Sequence, residues 1–152
     1  MDKVYISFVS VHGRIWSVVG NDRAVTEISL SCECEKTGEN AVTREAARQL
    51  QAYLNGKRQH LSFAMELHGT VFQKEVWAAL LTIPYGTTAT YGEVASWIGR
   101  PKAVRAVGQA IGKNPCLVAV PCHRVVGKNG SLTGFSAGLE LKRYLLALEQ
   151  KR

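Results

Sequence analysis

Alternating apolar and polar positions dominate the first thirty residues and predict β-strands. Val4–Val9, Arg14–Val19 and Ala24–Leu30 are rich in β-branched and aromatic residues. His12-Gly13 and Asn21-Asp22 supply turn-forming residues between these runs. Three strands joined by such short turns predict an antiparallel meander.

The apolar spacing then changes from that of a strand to that of a helix. A loop is predicted over Cys32–Asn40, followed by a helix from about Ala41 to Leu54 that Asn55-Gly56 ends. We place a domain boundary near His68-Gly69. The predicted domains are therefore an N-terminal α+β support domain, 1–68, and a C-terminal domain, 69–152.

The C-terminal domain begins with a predicted helix that runs to about Thr82. Thr70 and Gln73 form a plausible capping pair at its start, and Pro84-Tyr85-Gly86 stops it. Its expected buried stripe consists of Phe72, Val76, Ala79, Leu80 and Ile83.

Two short helices follow, from about Tyr91 to Ile98 and from about Ala103 to Gly112, separated by Gly99-Arg100-Pro101. Two short helices joined by a Gly-containing turn predict a helix-turn-helix, although many helical hairpins bind nothing. Beyond them we expect a strand-like run at Leu117–Pro121, a glycine-bearing loop over 127–138 and a last helix over 139–150.

The composition, with 46% hydrophobic and 20% charged residues, is that of a globular protein. No apolar run approaches the length of a membrane span, and the N-terminus has no signal-peptide pattern, so no membrane partner is expected. We expect a cytoplasmic protein, or a nuclear one if the source is eukaryotic. Cysteines 32, 34, 116 and 122 are then free thiols by default.

Charge is distributed unevenly along the chain. Residues 1–68 contain eight Lys and Arg against eight Asp and Glu, whereas residues 69–152 contain eleven against four. The whole net charge of +7 therefore lies in the C-terminal domain, and no acid occurs between Glu93 and Glu140. This pattern suits a polyanionic partner such as nucleic acid, although a basic surface without a partner explains the charge equally well.

The dipeptide Cys122-His123 is the strongest candidate for chemistry. A thiolate is the nucleophilic form of cysteine, and we expect His123 and Arg124 to lower the pKa of the Cys122 thiol. Glu149 is the candidate to orient the imidazole, if the last helix returns it to the site. Taken alone, the dipeptide favours a buried structural cysteine.

The residues around this dipeptide resemble a known family. The matching residues are Phe72-Gln73, Val76-Trp77, Pro84-Tyr85-Gly86, Thr90-Tyr91, Arg105–Ala110, Asn114-Pro115, Pro121–Val125, Gly130, Gly134, Ser136, Gly138, Lys142, Leu145-Leu146 and Glu149. They resemble the signature of the O6-alkylguanine-DNA alkyltransferases over about residues 69–150. The match on residues 1–68 is one of general character only.

The resemblance implies a DNA repair enzyme that is consumed in one turnover. Cys122 would accept the alkyl group, His123 would take its proton through a water, and Glu149 would orient His123. Tyr91 would donate a proton to the departing guanine, and Asn114 would hold the turn beside Cys122. The substrate is alkylated guanine, with O4-alkylthymine as a further candidate.

The same resemblance implies DNA-binding and pocket residues. Arg105 would insert into the base stack after base flipping, and its helix would lie in the minor groove of double-stranded DNA. The implied DNA contacts are Thr90, Ala103, Arg105, Ala106, Gly108 and Arg124. The implied substrate pocket consists of Val125, Phe135, Ser136 and Lys142.

The implied fold is α/β in composition, with a ribonuclease H-like sheet-and-helix domain and a mostly helical C-terminal domain with the helix-turn-helix. We expect a monomer that needs no cofactor and no metal. Zinc at Cys32 and Cys34 is the minor alternative and would require two further ligands. Phe135 and Ala137 depart from the tyrosine and glycine that are frequent in the family, which bears on bulky alkyl groups.

Two other functions compete with this interpretation. A non-catalytic module that binds the lesion would lack the cysteine, so Cys122 argues against it. A cysteine hydrolase would use Cys122 and His123 on a small ester or amide, and it leaves the basic helical pair unexplained.

Overall fold

The computed structural model describes residues 3–30, 38–132, 135 and 137–150. Its contacts divide the chain into two units, Met1–His68 and Gly69–Arg152. Within the described residues, no helix is both long enough and apolar enough to span a bilayer. The coarse prediction of a mixed α/β protein is confirmed.

The first unit is an antiparallel meander with a helix packed on it. Its strands are β1 (Tyr5–Val11), β2 (Arg14–Gly20) and β3 (Val25–Leu30), in the order β1-β2-β3. At the β1–β2 turn, His12 and Gly13 have φ angles of 51° and 77°. Two consecutive residues with positive φ match the right-handed twist of a hairpin, so the predicted turn is confirmed.

Helix α1 (Ala41–Leu54) covers this sheet and has the predicted bounds. It begins at Asn40, whose side chain accepts from the backbone N–H of Thr43, while the Thr43 hydroxyl accepts from the Asn40 N–H. Its buried face meets apolar residues of the sheet, and the core comprises Trp16, Val18, Ile28, Ala46, Leu50 and Tyr53. The predicted loop over 32–40 lies outside the described residues except for positions 38–40.

The second unit contains four α-helices and a two-stranded sheet among its described residues. In chain order these are α2 (Val71–Leu80), β4 (Ala89–Thr90), α3 (Tyr91–Trp97), α4 (Val104–Gly112), β5 (Val125–Val126) and α5 (Leu139–Gln150). Strands β4 and β5 are parallel, a pairing that the sequence did not reveal. It joins the start of α3 to the residues just after Cys122.

Reciprocal capping explains why α2 and α3 begin where they do. Thr70 and Gln73 form a capping box at α2, and Thr90 and Glu93 form another at α3. The predicted buried stripe of α2 is partly wrong, because Trp77 is fully buried and was not part of it. Its indole Nε1 donates to the Ala110 carbonyl at 2.9 Å, which ties α2 to α4.

The predicted strand at Leu117–Pro121 is wrong. This segment is a tight turn in which Val118 has a φ of 73° and Leu117 makes an isolated bridge with Val120. Asn114 holds the turn, since its Nδ2 donates to the Val120 carbonyl at 2.9 Å and its Oδ1 accepts from the Cys116 N–H at 2.9 Å. A side chain thus supplies the hydrogen bonds that a strand partner would have supplied.

Candidate active site

Cys122 begins a 3₁₀ turn, Cys122–Arg124, directly after the turn that Asn114 holds. Its backbone N–H donates to the Val120 carbonyl at 2.7 Å, and its side chain is 3% exposed. Asn114 also makes a side-chain hydrogen bond to the thiol. Asn114 therefore fixes the backbone before Cys122 and helps to stabilise a charge on its sulfur.

Burial raises the pKa of the Cys122 thiol to about 11, because the thiolate loses its hydration there. The Asn114 hydrogen bond and the charge of Lys142 act in the opposite direction. The expectation that the side chains of His123 and Arg124 lower this pKa is wrong, because both are directed at Glu149. The resting sulfur is a protonated thiol and needs a base to react.

His123 has the properties of that base. The side chain is fully buried, and its Nε2 lies 2.6 Å from Oε2 of Glu149. A carboxylate only accepts, so Nε2 carries the proton and Nδ1 presents a lone pair. Nδ1 has no hydrogen-bond partner among the described residues. Burial lowers the pKa of His123 in spite of the Glu149 contact, so the imidazole is neutral and able to accept a proton.

Glu149 is 4% exposed and fully satisfied by donors. Oε2 accepts from His123 Nε2 at 2.6 Å and from Arg124 Nη2 at 3.0 Å. Oε1 accepts from Arg124 Nε at 2.8 Å and from the Gly86 backbone N–H at 3.3 Å. A buried carboxylate with four donors keeps one orientation and holds the imidazole in one tautomer.

Arg124 is turned into this cluster, so its predicted role as a DNA contact is wrong. The residue is 8% exposed, and besides Glu149 it donates from Nη1 to the Ile83 carbonyl at 2.7 Å. Its guanidinium lies 5.6 Å from the centre of the Tyr85 ring. Arg124 therefore neutralises Glu149 and anchors it, which is a task inside the protein.

Helix α5 delivers two charged side chains to the same site. Lys142 and Glu149 are seven residues apart, or about two helical turns, so both lie on the buried face of α5. Lys142 is fully buried, and its charge interacts with the Cys122 sulfur. Burial lowers the pKa of Lys142, and the attraction of a Cys122 thiolate raises it. Glu149 thus orients the base, His123, while the charge of Lys142 stabilises a thiolate at Cys122.

Tyr91 and Arg105 lie on the neighbouring helix pair. Tyr91 begins α3 and is half-buried, and a Cβ added to Gly108 would be 3.8 Å from its ring. Gly108 therefore contributes to the packing of α4 against Tyr91, whereas the resemblance implied that it contacts DNA. Arg105 and Ala106 are exposed on the first turn of α4.

The other predicted residues have less specific positions. Val125 is fully buried in β5, and Phe135 is half-buried. The Thr90 hydroxyl accepts from the Glu93 N–H, and half-buried Ala103 is the N-cap of α4. Ser136 lies outside the described residues, as do Cys32 and Cys34.

Gly86 donates to Glu149 and Ile83 accepts from Arg124, and the sequence revealed neither contact. Both act through backbone atoms, which side-chain reasoning overlooks. Gly86 has a φ of 81°, a conformation that glycine adopts without strain, and an added Cβ would lie 3.2 Å from the Glu149 carbonyl. The available signal was the Pro84-Tyr85-Gly86 tripeptide, which the sequence marks both as a helix stop and as part of the family match.

The cluster is suited to proton transfer followed by attack from sulfur. A neutral imidazole with a free lone pair accepts the thiol proton, and the Glu149 carboxylate stabilises the imidazolium that forms. In the part of the chain that the structure describes, no group of three or more His, Cys, Asp or Glu side chains is placed to hold a metal ion.

Comparison with known proteins places this site in a family context. Residues 71–151 match the family described as "6-O-methylguanine DNA methyltransferase, DNA binding domain". A methylated-DNA–protein-cysteine methyltransferase of Methanosarcina barkeri is 53% identical over 107 residues, which cover 70% of this chain and 68% of that protein. One of Mycolicibacterium paratuberculosis is 44% identical over 141 residues, covering 89% and 86%.

Solved structures extend the similarity to both units. The Mycobacterium tuberculosis O6-methylguanine methyltransferase superposes with a TM-score of 0.88 at 39% identity, covering 97% of this chain and 93% of that one. A Mycobacterium tuberculosis OGT in complex with DNA gives 0.85 at 41% identity, covering 97% and 92%.

Proposed function

The chain belongs to the 6-O-methylguanine DNA methyltransferase family, and we propose that it repairs DNA by moving an alkyl group from O6 of guanine onto the sulfur of Cys122. The observation that carries this proposal is the buried pair of His123 and Glu149. His123 directly follows the buried Cys122 thiol in sequence, Glu149 shares α5 with buried Lys142, and His123 Nδ1 lacks a hydrogen-bond partner among the described residues. Its relatives carry the name of methyltransferases that act on a protein cysteine.

The reaction is a displacement at carbon. The thiol proton passes to His123 Nδ1 through a bridging water, a new S–C bond forms, and the bond between the carbon and guanine O6 breaks. Tyr91 gives a proton to the departing guanine, which makes it a better leaving group. The His123 imidazolium then gives up its proton and Tyr91 regains one through solvent, so that in the net reaction the alkyl group ends on sulfur and one proton moves from the thiol to guanine.

Consumption of the protein follows from the product. A thioether is stable, and the cluster formed by His123, Arg124 and Glu149 supplies no nucleophile that could remove the alkyl group from sulfur. Asn114 and Lys142 stabilise charge on sulfur before the transfer, and after it no charge remains there. We therefore propose a single turnover for each protein molecule.

We further propose that α3 and α4 form a helix-turn-helix whose second helix enters the minor groove. The O6 substituent is hidden in a duplex, so the base must leave the stack before Cys122 reaches it. Exposed Arg105 fills the space that the base vacates, and exposed Ala106 allows close approach. A structural relative of 41% identity is a complex with DNA, which supports DNA as the partner.

For the first unit, we propose a ribonuclease H-like arrangement that supports its neighbour. The order β1-β2-β3 with α1 across the sheet is the supporting observation. We also propose that the protein acts as a monomer.

The stoichiometry of methyl transfer tests the proposal. The protein is incubated with an excess of duplex DNA containing O6-methylguanine, and its intact mass is followed with time. We expect one methyl group per chain and no further loss of lesion once all chains are modified. Continuing loss of lesion would indicate a true catalyst, and an unmodified protein that still binds the DNA would indicate a lesion-binding module.

A further inference from the structure

A groove of about 570 Å³ lies on the surface of the second unit, outside the cluster around Glu149. Helix α3, the first residue of α4 and the turn after β5 form its walls. Its lining residues include Tyr91, Glu93, Trp97, Val104 and Lys128. Sites for small molecules occupy about 300–1,000 Å³, so this groove has room for one nucleotide.

The apolar wall of the groove is formed by Trp97 and Val104. Trp97 is 51% exposed, whereas Trp16 and Trp77 are each 1% exposed, and Val104 is 40% exposed. A half-exposed indole offers a flat apolar face, which is the surface that bases and sugars contact in nucleic-acid complexes. No role in the proposed reaction accounts for this exposure.

The groove also has one basic and one acidic side chain in its lining, Lys128 and Glu93. Lys128 is exposed there, within the acid-free stretch between Glu93 and Glu140. Glu93 is the acid of the groove, and its Oε1 accepts the backbone N–H of Thr90 at 3.0 Å. That carboxylate is therefore held at the start of α3, while Lys128 extends from a turn toward solvent.

The groove is continuous with the residues proposed to handle the lesion. Tyr91 lines the groove and also packs beside Gly108 of α4. Val104 lines the groove and directly precedes Arg105. A strand whose damaged base lies at Tyr91 would therefore have a neighbouring nucleotide within reach of the groove.

From this arrangement we propose that the groove binds a nucleotide of the damaged strand next to the lesion. Its sugar and base edge contact Trp97 and Val104, and its phosphate pairs with Lys128. This inference rests on the proposed function, because it assumes that the strand contacts the second unit at Tyr91. Trp97 and Lys128 are then positioning residues that hold the strand while Arg105 occupies the stack.

Tryptophan fluorescence tests the apolar contact directly. Of the chain's three tryptophans, Trp97 is the accessible one, so acrylamide quenching reports mainly on it. The probe is the Cys122→Ala protein with duplex DNA containing O6-methylguanine, which forms a complex that does not react further. Saturating DNA is expected to reduce quenching to the level of the same protein carrying Trp97→Phe. Quenching that DNA leaves unchanged would overturn the proposal.

The dependence of DNA affinity on salt tests the phosphate contact. Each phosphate that a protein neutralises contributes about −0.9 to the slope of log K against log salt. Lys128→Ala is expected to reduce the slope by about one, whereas Trp97→Ala weakens binding about tenfold at every salt concentration with the slope unchanged. The matched controls, Lys74→Ala and Leu81→Ala, alter exposed residues of α2 and its C-cap and are expected to leave both quantities unchanged.

The experiments distinguish failure of the groove proposal from failure of the proposed alkyl transfer. If the wild-type protein methylates Cys122 on duplex DNA while the Lys128→Ala slope equals that of Lys74→Ala, the groove proposal is wrong and the function stands. If Cys122 receives no methyl group, the function fails whatever the groove binds. Thermal unfolding of each variant is measured alongside, and Trp97→Phe provides the conservative comparison for Trp97→Ala.

Discussion

Individual side chains at the site show how burial controls reactivity. Cys122, His123 and Glu149 are each less than 5% exposed, and burial alone would keep all three neutral. Glu149 escapes this because four donors surround it, and it stabilises charge on His123 in turn. The charge of Glu149 therefore offsets part of the cost of forming an imidazolium in a buried site.

Replacing Glu149 tests its role as the positioning residue for His123. Glu149→Gln keeps the shape but removes the charge that stabilises the imidazolium and that pairs with Arg124. We expect the rate of transfer to fall by about 10²-fold or more, with binding to unmodified DNA retained. We also expect a loss of stability of about 3–5 kcal/mol, since the buried Arg124 charge loses its carboxylate.

The control for this change is Glu140→Gln, at an exposed position on the same helix. It is expected to leave both the transfer rate and the free energy of unfolding unchanged. A Glu149→Gln protein that transfers methyl at the wild-type rate would show that Glu149 does not assist the transfer.

Titration of the Cys122 thiol gives a second test at this scale. The folded protein keeps this proton up to about pH 11, whereas an ordinary thiol loses it near pH 9.0. The folded state thus binds more protons over that interval, and its free energy of unfolding falls as pH rises through it. Relative to Cys122→Ala, we expect a loss that approaches about 3 kcal/mol above pH 11.

Chemical denaturation of the two proteins over this pH range provides the measurement. The ultraviolet absorbance of the thiolate is measured as the difference between the folded protein and Cys122→Ala. It should rise as the pH approaches about 11. Lys142→Met should move that rise to higher pH, because the Lys142 charge lowers the pKa of the thiol. A thiolate already present at neutral pH would contradict the account.

For single residues, the sequence predicts which side chains belong to the site but not which way they point. Cys122, His123 and Glu149 are a group that the sequence already suggests, and the structure brings the last two into contact. The resemblance was taken to imply that Arg124 contacts DNA, and only three-dimensional packing revealed that it turns inward. Backbone donors such as Gly86 leave no side-chain signal at all.

At the scale of elements, local chemistry made the helices predictable. Capping residues at Asn40, Thr70 and Thr90 fix where α1, α2 and α3 begin, and these boundaries were predicted within a residue. The two-residue pairing of β4 with β5 was missed because it depends on residues distant in sequence. The strand predicted at Leu117–Pro121 was wrong because its apolar residues lie in a turn that Asn114 holds, although the resemblance had implied this role for Asn114.

The proposed role of the helix pair α3–α4 in DNA repair can be tested by replacing Arg105. Arg105→Ala removes the side chain that we propose fills the stack, and within the described residues Arg105 is not among the contacts of the Cys122 cluster. We expect repair of duplex DNA to slow far more than the reaction with free O6-benzylguanine, which needs no base flipping. The ratio of the two rates is the measured quantity. Equal losses on both substrates would show that Arg105 does not act as the wedge.

At the scale of the whole molecule, charge separates the two units. The second unit carries the entire net charge of +7, and the first is neutral overall. The sequence alone located this asymmetry, because it requires only counting. It did not show that Arg100 and Arg124 contact Glu75 and Glu149, which reduces the charge available to a partner.

The salt dependence of DNA binding tests whether DNA binds the basic second unit and not the neutral first unit. Lys102→Ala and Lys113→Ala, in the second unit, are each expected to reduce the slope of log K against log salt by about one if the lysine neutralises one phosphate. Lys3→Ala and Arg44→Ala, in the first unit, are expected to leave it unchanged. Equal reductions from both sets would mean that DNA also binds the first unit.

The fate of the alkyl group shows whether Cys122 is the acceptor of the transfer from guanine O6. The protein and its Cys122→Ala variant are incubated with duplex DNA carrying trideuteromethyl-labelled O6-methylguanine, digested, and analysed by peptide mass spectrometry. We predict that the label appears on the sulfur of Cys122, in proportion to the guanine restored, and that the variant restores none. Label on another residue, or guanine restored by Cys122→Ala, would contradict the account.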